Sequence, residues 1–503
     1  MKIFTNEQIR AIEQYTIEKE GVSSIALIER AASAITAEIV ARWGVDKKVW
    51  VFAGHGNNGA DALVVARLLI EQGYEVEVLL FNVFNRLSEG CAYARKRLLE
   101  SGAANFIEVT GDFTPPVITQ GAVVIDGLFG SGLRESLTGG FRSLVDYINN
   151  SKAKIVSIDV PSGLFAEWNE DNLRRNIIHA DLTLAIQFPR LSFFISDNAE
   201  FLGEWKVLDI GLSSTEIKNT TTQFFLLEKH DARRVLHQRG EFSSKADYGS
   251  ALIVGGSFGM LGAAQLAARG ALRAGVGKLT VHVPRCGFTV MQTAVPEAMV
   301  QVDHNDSGIT EINLRHEYDA IAMGPGMGTH DLTVRAVETF INHSTKPLLI
   351  DADGLNCIAQ RPMILDTIPP MSVITPHAGE FDRLFGEHMS DEARIMTAMQ
   401  KAQTYNIVIL LKGHYTTIVR PDHRIFFTAS GSPALATPGS GDVLTGVIAG
   451  LLAQGYSPDL AATLGAYIHG YAGTLAAEEH GEYGVLASDI ADYVGTAIRD
   501  IMR

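Results

Sequence analysis

The sequence predicts an α/β protein of two domains, each built on a parallel sheet covered by helices. Two observations predict it: short, nearly all-apolar runs alternate with amphipathic stretches, and the alternation stops in mid-chain and starts again. A third is the length, 503 residues, which exceeds what a single hydrophobic core usually supports.

The first series begins at Val49 and reads VWVFAG, a helical DALVVARLLIEQG, VEVLLF, a helical AYARKRLLESG, AVVIDGLFGSG and KIVSIDVPSG. Strands apolar on both sides belong to a parallel sheet with helices on both faces, here a Rossmann-like one, and such sheets bind ligands beyond their C-terminal strand ends. The second series starts near Tyr248 with SALIVGG, a small-residue helix through AAQLAARGALRAG, KLTVHVP, YDAIAMGPGMG, PLLIDADGLN, SVITPHAGE and IVILLKG. Between them, residues 211–244 are polar and carry no strong strand pattern, so the boundary is placed near Thr222, giving domains 1–222 and 223–503. The glycine motifs of the halves differ in spacing, which argues against an internal repeat.

Composition narrows the function. A formal net charge of −15 offers no footprint for a phosphate backbone or an anionic membrane, so neither nucleic acid nor membrane is an expected partner. Cys91, Cys286 and Cys357 are far apart and form no C-x-x-C pair, which fits a reducing compartment. The opening MKIFTNEQIRAIEQ lacks the apolar core of a signal peptide, and the expected location is cytoplasmic. Self-association into a homo-oligomer stays open.

Residues 54–62, GHGNNGADA, follow a predicted strand and precede a predicted helix. A glycine turn feeding a helix start offers free N–H groups to an anion, and Asn57, Asn58 and Asp61 add side-chain ligands. Asp126 in VVIDGLFGSGL and Asp159 in VSIDVPSGL end two further strands, so all three loops meet at one rim. Carboxylates there can move protons, or can bind a hard cation together with an Asn oxygen and Ser162; the plainer alternative is that each Asp caps its turn. This half resembles the N-terminal domain of bifunctional NAD(P)H-hydrate repair enzymes. The resemblance implies epimerisation of hydrated NADH or NADPH, with potassium near Asn58, Asp126 and Ser162, and proton transfer by Asp159. It implies a cofactor site of Asn57, Asn58, Gly59, Ala60, Asp61, Gly130, Ser131, Gly132, Leu133, Arg134 and Asp159. Ala60 and Ala62 stand where the family usually has glycine, and an alanine Cβ can block a positive φ or a close phosphate. The segment SSIALIERAASAI, similar to a family helix, is expected to be packing.

Residues 436–455, ATPGSGDVLTGVIAGLLAQG, place Gly439, Ser440 and Gly441 before a helix expected to begin near Asp442. Such a helix start stabilises charge on a transferring phosphoryl group, while Asp442 can take the proton of an attacking hydroxyl; an N-cap aspartate is the plainer reading. In LLKGHYTTIV a strand ends at Lys412 and a turn runs to Thr416, placed to meet a nucleotide. His377 and Glu380 follow another strand, and Gly326 and Gly328 admit close backbone approach.

With KADYGSALIVGGSFGMLGAAQLAARGALRAG, MGPGMG, LLIDADGLN, TPHAGEF, LKGHYTTIV and TPGSGDVLTG in that order, residues 230–503 resemble the ribokinase-like fold and, more narrowly, the ADP- or ATP-dependent NAD(P)H-hydrate dehydratases. The resemblance implies nucleotide binding by Lys412, Gly413, His414, Tyr415, Thr416 and Gly441. It implies hydrated-cofactor binding by Ala263, Gly326, Gly328, His377 and Asp442, with Asp442 as base. Magnesium is expected, with Glu380 only a weak candidate ligand, and ADP as donor would yield AMP and phosphate from the S epimer. The competing reading is a ribokinase-like vitamin-precursor kinase with a non-catalytic N-terminal ligand-binding module.

Overall fold

The computed structural model describes residues 1–102 and 105–503. The chain divides into two compact units, one of Lys2–Thr222 and one of Gln223–Arg503 with Met1.

In the first unit seven strands lie in the order Asn105–Val109, Val76–Phe81, Val49–Ala53, Val123–Gly127, Lys154–Ile158, Leu182–Ile186, Glu204–Leu208. Every pairing is parallel. The chain lays down Val49–Ala53, builds outward through two strands, then crosses back to set Val123–Gly127 on the other side. Loops leaving the two neighbouring strands at that reversal run apart, which opens a crevice at their carboxyl ends. Alternation along the strand feeds both faces. Val49, Val51 and Ala53 join the core under helices Ser24–Arg42, Asn57–Glu71 and Glu89–Glu100, while Trp50 and Phe52 join the one under helix Gly139–Asn149. The segment SSIALIERAASAI lies in the first of these helices and buries Leu27, Ala31, Ala32 and Ile35.

The second unit's sheet runs Phe224–Leu227, Ile425–Thr428, Thr416–Val419, Val408–Leu411, Val373–Ile374, Leu349–Ile350, Ala320–Met323, Ser250–Val254, Lys278–Val283, Met299–Val302. From Val408–Leu411 onward the pairings are parallel; the hairpin of Thr416–Val419 and Ile425–Thr428 is antiparallel. Its switch point lies at Ser250–Val254, between Ala320–Met323 and Lys278–Val283. One correction concerns the polar segment after residue 211. It holds the strand Phe224–Leu227, parallel to Ile425–Thr428, and helices Ser214–Asn219 and Lys229–Val235. Four apolar residues are too few to show a period, and pairing with a distant strand decides their state. Among the described residues no helix is long and apolar enough to cross a membrane.

Candidate active sites

The first unit's switch point opens into a cavity of about 430 Å³. Asn57, Asn58, Asp61, Gly130, Ser131, Gly132, Leu133 and Asp159 all line it. The helix Asn57–Glu71 starts at the cavity, and no side chain caps its N-terminus at Gly56. Its first-turn N–H groups therefore remain available to an anion.

Asp159 sits in the left-handed region at φ 67°, a conformation that costs an aspartate energy and turns the strand end sharply. Its Oδ2 accepts from the Ser131 N–H at 3.2 Å, and its Oδ1 is paired with the guanidinium of Arg190, also buried. Two more carboxyls share the space. Asp61 is pushed well above the usual carboxylate range, first by burial and then by the charges of Asp159 and Glu13. Glu13 is raised by burial, which outweighs the opposing pull of Arg190. Three acids around one arginine form a site in which protons can be held and exchanged.

Asp126 is fully buried and does not line the cavity. Its carboxylate accepts from Ser157 Oγ (2.8 Å), Ser162 N (2.8 Å), Ser162 Oγ (2.5 Å) and Leu128 N (3.3 Å), and burial raises its pKa despite them. Turn-capping therefore describes Asp126 well. Ser162 also receives the Phe129 N–H at 2.9 Å, and Asn58 lies against Gly130, one residue on. The Asn58 Nδ2 is buried without a hydrogen-bond partner among the described residues. Asn58, Asp126 and Ser162 all carry oxygens, the donor type a hard cation takes, and the unpartnered Asn58 amide could present its oxygen if turned over.

Three expected residues stay outside. Gly59 packs onto the loop before its helix, where a Cβ would overlap the Gly54 carbonyl. Ala60 is fully buried in the core, and Arg134 is exposed on the surface. Ala60 and Ala62 have ordinary negative φ, and both belong to the core cluster beneath the helix. Neither meets the condition under which a glycine would be required. The cavity also includes residues to which the sequence drew no attention: Arg190 after a strand end, His55, and Asn6, Ile9, Arg10 and Glu13 from helix Asn6–Glu20. Their spacing of three, one and three is a helical face, the available signal for that group.

In the second unit the site gathers at the carboxyl ends of the parallel strands. Helix Ser440–Ala453 begins two residues before the expected Asp442, with Gly439 as its left-handed N-cap at φ 88°. Asp442 thus stands inside the first turn and is not the N-cap. Burial raises its pKa to about 7, with Asp351, Asp353 and Glu380 adding to the rise and Lys412 opposing it. Lys412 donates to Asp351 Oδ1 at 2.6 Å, and Thr445, one turn into the helix, donates to Asp351 Oδ2 at 2.6 Å. A Cβ on Gly441 would lie 3.3 Å from Lys412 Nζ, which puts the ammonium at the helix start. His469, fully buried and lowered to about 4 by burial, is neutral at pH 7 and lies 3.0 Å from the Ser440 carbonyl, fixing the turn from behind.

Gly326 and Gly328 have φ of 58° and 73°. A Cβ on Gly326 would press on Met260 O at 2.6 Å and Ala263 Cβ at 2.9 Å, so Ala263 borders this turn. Gly328 N–H donates to Asp353 at 2.9 Å. His377 caps helix Ala378–Phe385: its Nδ1 accepts from Gly379 N at 3.1 Å, and its own N–H donates to Glu380 at 3.0 Å. That capping box, with a 3.3 Å contact from His377 Nε2 to the other Glu380 oxygen, occupies Glu380 and leaves it a poor magnesium ligand, while the His377 side chain stays about half exposed. His377 and Lys412 are joined by a β-bridge, and Gly413, His414 and Tyr415 form the turn from there to Thr416. The sequence drew attention to LLIDADGLN without assigning its acids; Asp351 directly follows strand Leu349–Ile350, and Asp353 opens helix Asp353–Gln360. Several carboxyls facing one lysine fit a cation-bound polyphosphate, which would bring positive charge among them.

Comparison with known proteins agrees along the whole chain. The pattern described as NAD(P)H-hydrate dehydratase matches residues 251–495, and that described as YjeF-related protein N-terminus matches residues 24–192. A bifunctional NAD(P)H-hydrate repair enzyme of Moorella thermoacetica is 32% identical over 100% of this chain and 97% of its own length. One from Escherichia coli is 31% identical, covering 93% of this chain and 88% of its own. Among solved structures, an ADP/ATP-dependent NAD(P)H-hydrate dehydratase from Bacillus subtilis, co-crystallised with ATP and Mg2+, is 31% identical at a TM-score of 0.50. It covers 55% of this chain and 98% of its own.

Proposed function

The chain belongs to the family of bifunctional NAD(P)H-hydrate repair enzymes, and on that premise we propose how its two sites divide the repair of hydrated NADH and NADPH. The N-terminal domain interconverts the R and S epimers, and the C-terminal domain dehydrates the S epimer at the expense of a nucleotide. A vitamin-precursor kinase with an inert N-terminal module is not favoured, because relatives named for both halves align along the whole chain.

The observation that carries the dehydratase reading is Asp442, a carboxyl with a pKa of about 7 in the first turn of an uncapped helix. A base of that pKa accepts a hydroxyl proton efficiently near neutrality. As the substrate's hydroxyl oxygen bonds to the terminal phosphorus of the nucleotide and the phosphoanhydride bond to the departing nucleotide breaks, Asp442 takes the hydroxyl proton, and the helix start with Lys412 stabilises the phosphoryl charge. The ring nitrogen's electron pair then expels phosphate, and loss of a proton from the neighbouring carbon restores the dihydronicotinamide. The turn from Lys412 to Thr416, with Gly441, holds the donor; Ala263, Gly326, Gly328 and His377 hold the hydrated ring. ADP is the proposed donor, leaving AMP and phosphate. Magnesium, when bound, offsets polyphosphate charge, with Asp351 and Asp353 better placed than Glu380 to face it.

In the epimerase, Asp159 is the proton-transfer group at the hydroxyl-bearing carbon, oriented by Arg190 and the Ser131 N–H. Asn58, Asp126 and Ser162 hold potassium, whose charge favours the phosphates at the helix start. The test is recovery of absorbance at about 340 nm, where the dihydronicotinamide product absorbs, from a mixture of both hydrates with ADP, ATP or no nucleotide. Nucleotide-dependent recovery that passes the share of one epimer supports both halves; no recovery with either nucleotide overturns the dehydratase.

A further inference from the structure

We propose that Glu13 is the proton donor that works opposite Asp159 in the epimerase; this rests on the reading of the first unit in which Asp159 takes the hydroxyl proton. The chemistry asks for two groups. The hydroxyl-bearing carbon is bonded to the ring nitrogen, so its configuration inverts only if its bond to hydrogen, oxygen or nitrogen breaks. Its hydrogen is not acidic, because no carbonyl adjoins that carbon. Breaking the bond to oxygen leaves a cation one proton away from the dihydronicotinamide, which would complete the repair with no nucleotide. Breaking the bond to nitrogen keeps the two activities separate. A base removes the hydroxyl proton, a C=O bond forms, the C–N bond breaks, and the electron pair left on nitrogen takes a proton from an acid. The open-chain aldehyde turns about the adjoining carbon–carbon bond, and the nitrogen closes on its other face, returning both protons. No oxidant, reductant or further reactant is needed.

The cavity supplies the second group from helix Asn6–Glu20, whose Asn6, Ile9, Arg10 and Glu13 line it from one face. That helix is fastened to the loop that orients Asp159. The Ser131 N–H donates to Asp159 Oδ2 at 3.2 Å, while the Ser131 carbonyl accepts from Asn6 Nδ2 at 2.6 Å. Arg10 Nη2 would lie 3.2 Å from a Cβ on Gly132. Glu13 is the next lining residue, about 4.5 Å further along the helix axis. It makes no hydrogen bond or ion pair among the described residues, whereas Asp159 is held by Arg190 and the Ser131 N–H. Burial raises Glu13 against the pull of Arg190, and Asp159 adds to the rise, so its proton stays available to a higher pH than an ordinary carboxyl's. The groups facing it are Arg10 on its own helix and Asp61, Asp159 and Arg190 from other elements, with His55 in the same cavity. Asp61 is the rival donor, also raised, but it belongs to helix Asn57–Glu71, whose start is assigned to the phosphates.

The experiment follows interconversion of the R and S hydrates of NADH by chromatography, across pH, with the full chain as wild type, Asp159→Asn, Asp61→Asn, Glu13→Gln and Glu13→Asp. Loss of a proton donor predicts that Glu13→Gln lowers kcat about 10²-fold with KM within about two-fold, while dehydration by the second unit is unchanged. In wild type kcat should fall at high pH as the donor ionises. That falling limb should persist in Asp61→Asn and Glu13→Asp and vanish from the residual rate of Glu13→Gln, a change that a merely structural role would not produce. A Glu13→Gln rate within about two-fold of wild type, or a falling limb that stays in Glu13→Gln and disappears in Asp61→Asn, overturns the proposal. Wild type that does not interconvert the epimers, or Asp159→Asn at full rate, would instead overturn the epimerase reading, so the two failures are distinguishable.

Discussion

Helix Asn57–Glu71 and helix Ser440–Ala453 both begin at a glycine, without a side-chain cap, at the carboxyl ends of a parallel sheet. They differ in where the proposed working carboxylate comes from. In the second unit Asp442 is part of the helix start itself, and burial, with the neighbouring Asp351, raises it to about 7. In the first unit Asp159 comes from a different strand and is locked to Arg190 and the Ser131 N–H. The same anion-binding frame can therefore serve two chemistries. Phosphoryl transfer gains from a base and an anion site in one turn, whereas epimerisation needs an oriented proton carrier and no phosphoryl acceptor.

The largest effect expected from breaking this comparison is at Asp442. Asp442→Asn should lower kcat for nucleotide-dependent dehydration about 10³-fold while epimer interconversion persists, measured by absorbance recovery and by following the epimers chromatographically. In the wild type kcat/KM should rise with pH through about 7 as Asp442 ionises. Stability should move the opposite way. A carboxyl raised in the folded state favours folding below its unfolded pKa of about 4 and loses that contribution as pH climbs to about 7. Thermal melts of Asp442→Asn should accordingly be flatter across that window than those of wild type.

Next is Asp159→Asn, expected to slow epimerisation about 10²-fold and leave dehydration of the accepted epimer intact. Equal loss of both activities would break the separation of the two sites. Third is Lys412→Met, which strands the buried Asp351 carboxylate with only its Thr445 hydroxyl and should cost about 3 kcal/mol in denaturant melts. It also removes the charge that lowers the Asp442 pKa, so any residual activity should rise at higher pH than in wild type. The smallest effect is at Ala60 and Ala62. Restoring glycine at either should leave the epimerase rate within about two-fold and cost about 1 kcal/mol of stability, since both lie inside a helix and away from the cavity. Gly59→Ala should do more damage than either, through its clash with the Gly54 carbonyl.

Much of both candidate sites was legible because their residues sit at strand ends or helix starts: Asp126, Asp159 and Lys412 at strand ends, Asn58 and Asp442 in the first turn of a helix. What escaped notice came from elsewhere in the chain. Arg190 is a lone arginine in a loop, and Glu13 belongs to a helix whose polar face looks like any solvated one. Arg134, next to a lining glycine turn, is exposed and does not line the cavity, since neighbours in sequence need not share a surface. Asp351 and Asp353 lay in a recognised segment, but Asp351 acquires meaning only from Lys412, sixty-one positions later.

Apolar periodicity and glycine placement, being local properties of the backbone, by themselves determined the class of fold, the two series of elements and the strand-end loops that carry the chemistry. The tertiary structure alone decided the strand Phe224–Leu227, the pairing of Asp159 with Arg190, the capping roles of His377 and Glu380, and the inward packing of Ala60 and Ala62. Each of those depends on burial or on a partner distant in sequence, and desolvation and charge pairing act through space and not along the chain.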